Sequence, residues 1–399
     1  MAHPPEKSQR RIYLDNAATS FPKPPAVIEA MTRYAHDIGA NAGRGLYEEA
    51  IRSAEIVSTC RRSLAKLLNA PCPDSIVFTH NCTDALNLAI NGVIDPARSN
   101  HLICTAMDHN SVLRPMHELV ERKLATLTVV RADRATGQVE PHDIRRALRP
   151  DTRLIAVPHA SNVTGVILPV AGIAAIARRH GALFLLDAAQ TAGHVAIDVQ
   201  EMDADLLAVP GHKGLLGPLG TGALYIRPGI ERQLRSTRSG GTGSQSESLL
   251  QPLMMPDRFE AGSMNVIGLA GLSAGIDWVL SRTIDAIRRH DIALGEAFLA
   301  GVQGIARVRV FGPTALRERV GVFSLEVEGL EPAELAMVLE SQFGILVRAG
   351  LHCAPLAHDA IGTSARGGTV RVSFGAMNTL DDVLIVVSAL STISAGSCA

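Results

Sequence analysis

The sequence predicts an α/β protein with a mostly parallel, seven-stranded sheet in a large domain and a smaller α+β domain after it. Three observations predict it. Short apolar stretches alternate with helical stretches between residues 75 and 227, the order of right-handed strand–helix–strand units. Stretches such as ALFLL, ahead of Asp187, are apolar without a break, as expected of strands covered on both faces. After about residue 228 the alternation changes, and shorter strands with two helices close the chain.

The elements follow in order. Residues 1–11 read as a disordered start, within an amino-terminal arm over 1–25. From about residue 46 a long helical pattern runs through Tyr47, Ile51, Ala54, Leu64 and Leu67. Strands are expected at Ser75–Thr79, His101–Thr105, Thr126–Arg131, Arg153–Pro158, Ala182–Asp187, Asp205–Pro210 and Gly222–Arg227. Helices lie between most of them, such as Thr83–Val93 and Val170–His180. The Gly- and Ser-rich stretch Arg238–Glu247 reads as a loop, and a long helix is expected over Val266–Leu280. The large domain spans 26–279 and the small one 280–399. In the latter, strands are expected at Val308–Phe311, Val322–Val327, Ile345–Arg348 and Thr369–Phe374, with helices over 331–342 and 379–393.

Composition narrows the function. The 399 residues are 47% hydrophobic, ample for a large core, and carry a net charge of −1. No basic stripe or acidic tail stands out, which argues against nucleic acid and anionic membranes as partners and for a small-molecule substrate. The six cysteines are Cys60, Cys72, Cys82, Cys104, Cys353 and Cys398. None form a C-x-x-C pair, so neither a zinc site nor a dithiol motif is expected. The start MAHPPEKSQRR has no apolar core, so no signal peptide is expected, and no apolar run is long enough to span a bilayer. A cytoplasmic protein is expected.

Ligands in open α/β sheets bind beyond the carboxyl ends of the strands, and three strand ends stand out. ALFLLD ends on Asp187. A carboxylate there is costly unless a cation meets it, and a protonated pyridinium is one such partner; capping the next turn is the plain alternative. DLLAVP runs into Gly211, His212, Lys213 and Gly214. Of the chain's five lysines, Lys7 is in the start, Lys23 lies between prolines, and Lys66 and Lys123 sit in charged helical surroundings. Only Lys213 follows a buried strand among glycines, where a lysine can lose its proton and become nucleophilic. SIVFT ends at His80, Asn81, Cys82 and Thr83, where a helix start offers a seat for phosphate, although Thr83 and Asp84 could equally be ordinary caps.

These residues, in this order, resemble the class V aminotransferase family of pyridoxal-phosphate (PLP) enzymes, closest within it to cysteine desulfurases and selenocysteine lyases. The matching segments are YLDNAAT (13–19), FTHNCTDALN (78–87), MDHNS (107–111), HASNVTG (159–165), DAAQ (187–190), GHK (211–213), RFEAGSMN (258–265), RAGLHCAP (348–355) and VRVSFGAMNT (370–379). The resemblance implies the aspartate aminotransferase-like fold of PLP-dependent transferases and pyridoxal 5'-phosphate as cofactor. It implies that Lys213 forms the Schiff base, Asp187 pairs with the ring nitrogen, Gln190 bonds the phenolic oxygen, and His109 stacks on the ring and serves in proton transfer. Asn162 would flank ring and substrate. Thr83 and His212 would bind the phosphate beside Cys82, with Ser263 reaching in from the second subunit of a homodimer. Arg371, with Arg348 as the next candidate, would clamp the substrate carboxylate, a geometry that suits guanidinium. Cys353 would be the thiol that takes the substrate sulfur as a persulfide and passes it to a protein acceptor.

Each role has a plainer alternative: His109 as a helix cap, Arg371 in a structural ion pair, Cys353 as a small buried hydrophobe. The chain also departs from the family pattern. Pro210 stands where a phosphate-binding serine is usual, Asn110 and Leu351 where histidines are common, and Gly43 where a histidine often occurs. The expected reaction is conversion of L-cysteine to L-alanine with sulfur left on Cys353. The alternatives are selenocysteine cleavage, β-elimination, epimerisation or transamination on the same scaffold, and, outside enzymes, a catalytically silent scaffold.

Overall fold

The computed structural model describes residues 11–43 and 45–396; the expectations for residues 1–10 and for Cys398 lie outside the described residues. The strands in chain order are β1 Ile12–Tyr13, β2 Ile76–Thr79, β3 His101–Thr105, β4 Thr126–Val130, β5 Thr152–Pro158, β6 Leu183–Asp187, β7 Leu206–Pro210, β8 Gly222–Ile226, β9 Val308–Val310, β10 Val322–Val327, β11 Ile345–Leu346, β12 Arg348–Gly350 and β13 Thr369–Ser373. The helices are α1 Pro25–Asp37, α2 Glu48–Leu67, α3 Cys82–Gly92, α4 Asn110–Glu121, α5 Pro141–Ala147, α6 Val170–His180, α7 Val266–Arg282, α8 Ile284–Val302, α9 Pro332–Phe343, α10 Pro355–Ile361 and α11 Leu380–Ser394.

The large sheet has the order β2-β8-β7-β6-β5-β3-β4. Neighbours from β4 to β7 pair in parallel, and β8 alone runs against its neighbours β7 and β2. All its strands begin and end within one residue of the expected bounds. Their unbroken apolar character follows from burial on both faces. Phe184 and Leu186 enter one core cluster while Leu183 and Leu185 enter the other, as a period of two requires.

The small domain has an antiparallel sheet, β12-β13-β10-β9. Phe298, Phe323 and Phe374 pack in its core with centroids 4.9–5.8 Å apart. β1 pairs with β11 in parallel, so Ile12 and Leu14 join this core from the other end of the chain.

Two expectations are corrected. The strand expected at Ile345–Arg348 is two strands: the chain breaks at Val347, β11 serving β1 and β12 serving β13. The helix expected to start at Thr83 starts at Cys82. Its cap is Asn81, whose side chain accepts from the Asp84 N–H at 2.9 Å, so neither Thr83 nor Asp84 is the cap.

Candidate functional site

The parallel strands aim their carboxyl ends at one place. Beyond β2 lies the start of α3, beyond β3 His109, beyond β5 Asn162, at the end of β6 Asp187, and beyond β7 His212 and Lys213. A cavity of about 220 Å3 collects them, together with Cys82, Thr83, Gln190, Arg348, His352 and Arg371. Gly222 lets the helix start come this close: a Cβ there would stand 2.5 Å from the backbone of Asn81.

Lys213 and Asp187 set the electrostatics. Burial pushes the Lys213 ammonium toward the free amine, while Cys82 and Asp187 oppose that shift and the two arginines add to it. Burial raises the Asp187 carboxyl against the pull of Ala189 N–H (2.9 Å) and the charge of Lys213. The Cys82 thiol, driven well up by burial, stays protonated and faces Asp187 Oδ1 at 3.7 Å. Both groups gain from a ligand that brings a cation to the carboxylate and an electrophile to the amine.

His109 is indeed a cap: Nδ1 accepts from the Ser111 N–H at 3.0 Å. It lines the cavity as well. Burial and the positive charge of Lys213 push its pKa down to about 3. The ring is neutral, and since Nδ1 accepts, its hydrogen is assigned to Nε2. Thr83 Oγ1 pairs with Ser111 Oγ at 2.7 Å. First-turn N–H groups of a helix have no partner within it, so the start of α3 and the Thr83 hydroxyl form a seat for an anion. Gln190 donates to Ala17 O at 3.1 Å. His212, pushed down to about 4 by burial, keeps a buried and unpartnered Nδ1. Pro210 lines the cavity without a hydroxyl.

Arg348 and Arg371 stand directly opposite each other on β12 and β13. Like charges in that position repel, which favours an anion between them. Arg371 is buried and pairs with Asp15 at 2.6 Å, the structural ion pair of its plainer reading. Its Nη1 donates to Asn162 O at 3.2 Å, and its Nε is buried without a partner.

Cys353 does not line the cavity. It is exposed, with Sγ 3.8 Å from Nη2 of Arg348, which does line it. Its loop is strained: His352 has φ +48° and Cys353 φ +56°, costing about 1–3 kcal/mol each for residues with a Cβ. The large domain holds it there. Asn110 N–H donates to Cys353 O and Asn162 Nδ2 to His352 O, both at 2.7 Å.

Ser263 stands apart, lining a separate cavity with His80 and Glu260. Asp15, which pairs with Arg371, and Ser111, which lines the cavity, were missed, although both sit inside segments already singled out. Among the described residues no group of three or more His, Cys, Asp or Glu side chains could hold a metal, and no helix is long and apolar enough to cross a membrane.

A flat cofactor with an aldehyde, a basic ring nitrogen and a phosphate fits this set: amine at Lys213, carboxylate at Asp187, neutral ring at His109, anion seat at α3. Residues 12–386 match the family model of aminotransferase class-V. A probable cysteine desulfurase of Methanothermobacter thermautotrophicus is 35% identical over 387 residues, covering 96% of this chain and 94% of the relative. A probable cysteine desulfurase of Pyrococcus abyssi is also 35% identical, covering 94% and 92%. The apo structure of a cysteine desulfurase from Thermococcus onnurineus superposes with TM-score 0.90 at 34% identity, over 97% of this chain and 95% of that one. One from Escherichia coli gives TM-score 0.84 at 27% identity, over 95% and 94%. The chain belongs to the aminotransferase class-V family.

Proposed function

We propose that this protein is a PLP-dependent cysteine desulfurase that converts L-cysteine to L-alanine and keeps the sulfur on Cys353. The observation that carries the reading is the joining of two half-sites. Lys213 and Asp187 face one cavity of the large domain, and the opposed Arg348 and Arg371 bring the Cys353 loop to it.

PLP, when bound, supplies the electron sink that lets a proton leave the substrate's α-carbon. The residues of the chain do the rest. Asp187 keeps a ring nitrogen protonated. The start of α3, Thr83 and His212 hold the phosphate, with Cys82 beside them, and Gln190 bonds the phenolic oxygen. Arg371 and Arg348 fix the substrate carboxylate, and Asn162 flanks it. Lys213 Nζ, held toward the free amine by burial, would carry the proton off the α-carbon, and the neutral His109 ring would lie against the cofactor. The Cys353 thiolate then attacks the substrate sulfur. The carbon–sulfur bond breaks, a sulfur–sulfur bond forms, and the carbon fragment takes up a proton to leave as alanine. The exposure of Cys353 supports onward transfer to a protein acceptor. The position of Ser263, away from the cavity of its own chain, supports a homodimer in which it completes the partner's phosphate seat. The small domain, read as beginning near residue 280, carries the loop.

The test is direct. Purified protein is reconstituted with PLP, reduced with borohydride and peptide-mapped, and a second sample is given cysteine and its alanine measured. The reading expects a pyridoxyl group on Lys213 and alanine in catalytic amounts. A label on another lysine, or no alanine, overturns it.

A further inference from the structure

The backbone just before Lys213 is held in an unusual way. The carbonyl of His212 is approached by Ser20 N–H at 3.0 Å, Ser20 Oγ at 3.1 Å, Thr19 Oγ1 at 3.1 Å and Lys23 Nζ at 2.7 Å. A carbonyl oxygen offers two lone pairs, and here four donors converge on one. Lys23 Nζ also donates to Ser20 Oγ at 2.7 Å, which turns that hydroxyl's own hydrogen toward the carbonyl. No ion pair to Lys23 occurs among the described residues, and burial lowers its pKa to about 8. A partly buried ammonium is costly without a counter-ion. This one is aimed at a peptide oxygen.

The same stretch of chain reaches the substrate side. Asp15 pairs with Arg371, Asn16 Nδ2 donates to Ser373 O at 3.1 Å and to Asn378 Oδ1 at 3.0 Å, and Ala17 N–H donates to Ser373 Oγ at 2.9 Å. Residues 15–23 therefore run as a strap from the arginine strand β13 to the peptide that carries the lysine. The other side of the lysine turn is closed by Leu216 N–H on Lys213 O and Gly217 N–H on Gly211 O, both at 2.8 Å.

We propose that Lys23 is a positioning residue for Lys213: with Thr19 and Ser20 it clamps the His212 carbonyl and so fixes the direction in which the Lys213 side chain leaves the backbone. Lys23 does not line the cavity; it acts through the peptide group. The inference rests on the reading of Lys213 as the lysine that carries the cofactor.

The test uses Lys23→Met, which keeps the length and removes the charge, and Lys23→Arg, which keeps the charge. Thr19→Val removes one hydroxyl donor and serves if Lys23→Met fails to fold. Three quantities are read on the PLP-loaded full chain: amide hydrogen exchange of residues 211–217, the pH midpoint of the lysine–cofactor absorbance band, and kcat against KM for alanine formation. A misplaced reacting group costs up to about 100-fold. Lys23→Met should lower kcat by roughly 10- to 100-fold, leave KM within about 2-fold, shift the absorbance midpoint and speed exchange in 211–217. Lys23→Arg should recover most of each, and Thr19→Val should show the same pattern more weakly. Unchanged exchange, midpoint and kcat in Lys23→Met, or in Thr19→Val where it substitutes, overturns the clamp. So does a uniform loss of stability that Lys23→Arg does not rescue. If wild-type protein carries no pyridoxyl group on Lys213, the functional reading itself falls, so the two failures are distinguishable.

Discussion

Lys213 and Cys353 are the two nucleophilic side chains of the proposed reaction, and their settings are opposite. Lys213 follows a central strand, lines the cavity, and is pinned through its backbone on both sides. Cys353 is exposed, sits outside the cavity wall, and belongs to a loop with two successive residues in the left-handed region. The difference follows from what each must do. An amine that moves a proton at neutral pH needs shelter from water to lower its pKa and one fixed direction. A thiol that takes sulfur from a site and hands it on must reach both sides. The sheltered half is held by its core, while the reaching half is held by a few hydrogen bonds to the backbone of the loop.

Changes on each side should have separable effects. Lys213→Ala strikes the sheltered half and has the largest expected effect. Removing a positioned acid–base group costs about 10²–10⁴-fold, so alanine formation should be lost and the lysine–cofactor absorbance band with it, while PLP is still retained noncovalently. Turnover at the wild-type rate would end the comparison. Arg371→Lys strikes the seam between the halves. It keeps the charge and loses the planar fork, and the loss of a buried charge-assisted pair costs about 2–5 kcal/mol. The fall should appear in kcat/KM for cysteine, with the resting absorbance unchanged; if kinetics barely move, the carboxylate is held by Arg348.

Cys353→Ser strikes only the reaching half. The variant should bind PLP normally, lose most alanine production from cysteine, and keep a substantial part of any activity on selenocysteine, whose weaker carbon–selenium bond needs less help. Asn110→Pro is the finest cut. Asn110 is the first residue of α4, where proline is tolerated, and His109 before it has φ −72° and ψ 156°, which suits a residue preceding proline. The change deletes one hydrogen bond, that to Cys353 O, worth about 0.5–1.5 kcal/mol. It should slow alanine formation several-fold and leave the Lys213 absorbance untouched. An equal effect on both would mean that loop and pocket are one rigid unit.

The sheltered half was legible in the sequence and the reaching half only partly so. Buried parallel strands announce themselves by unbroken apolar runs, so β5, β6 and β7, and with them Asp187 and Lys213, could be located from local pattern. Cys353 and Arg371 carry no local signal of that kind and were found through the family's segments. The strand break at Val347 was missed because it is decided by β1, more than 300 residues away in the chain. The pairings of Asp15 with Arg371 and of Lys23 with the His212 carbonyl are likewise tertiary. A lysine between prolines looks like surface until the fold places a carbonyl in front of it. The helix start at Cys82 was misjudged by one residue because three capping residues, Asn81, Thr83 and Asp84, compete within four positions, and only Asn81 has the extended backbone a cap requires.

The most direct test of the division of labour is a cysteine pulse on the wild-type protein, followed by rapid quench under non-reducing conditions and mass spectrometry of its peptides. The account predicts one added sulfur on the peptide containing Cys353 and none on those containing Cys60, Cys72, Cys82 or Cys104. Alanine formed at the full rate with no sulfur on the Cys353 peptide, or with the added sulfur on Cys82, would contradict it.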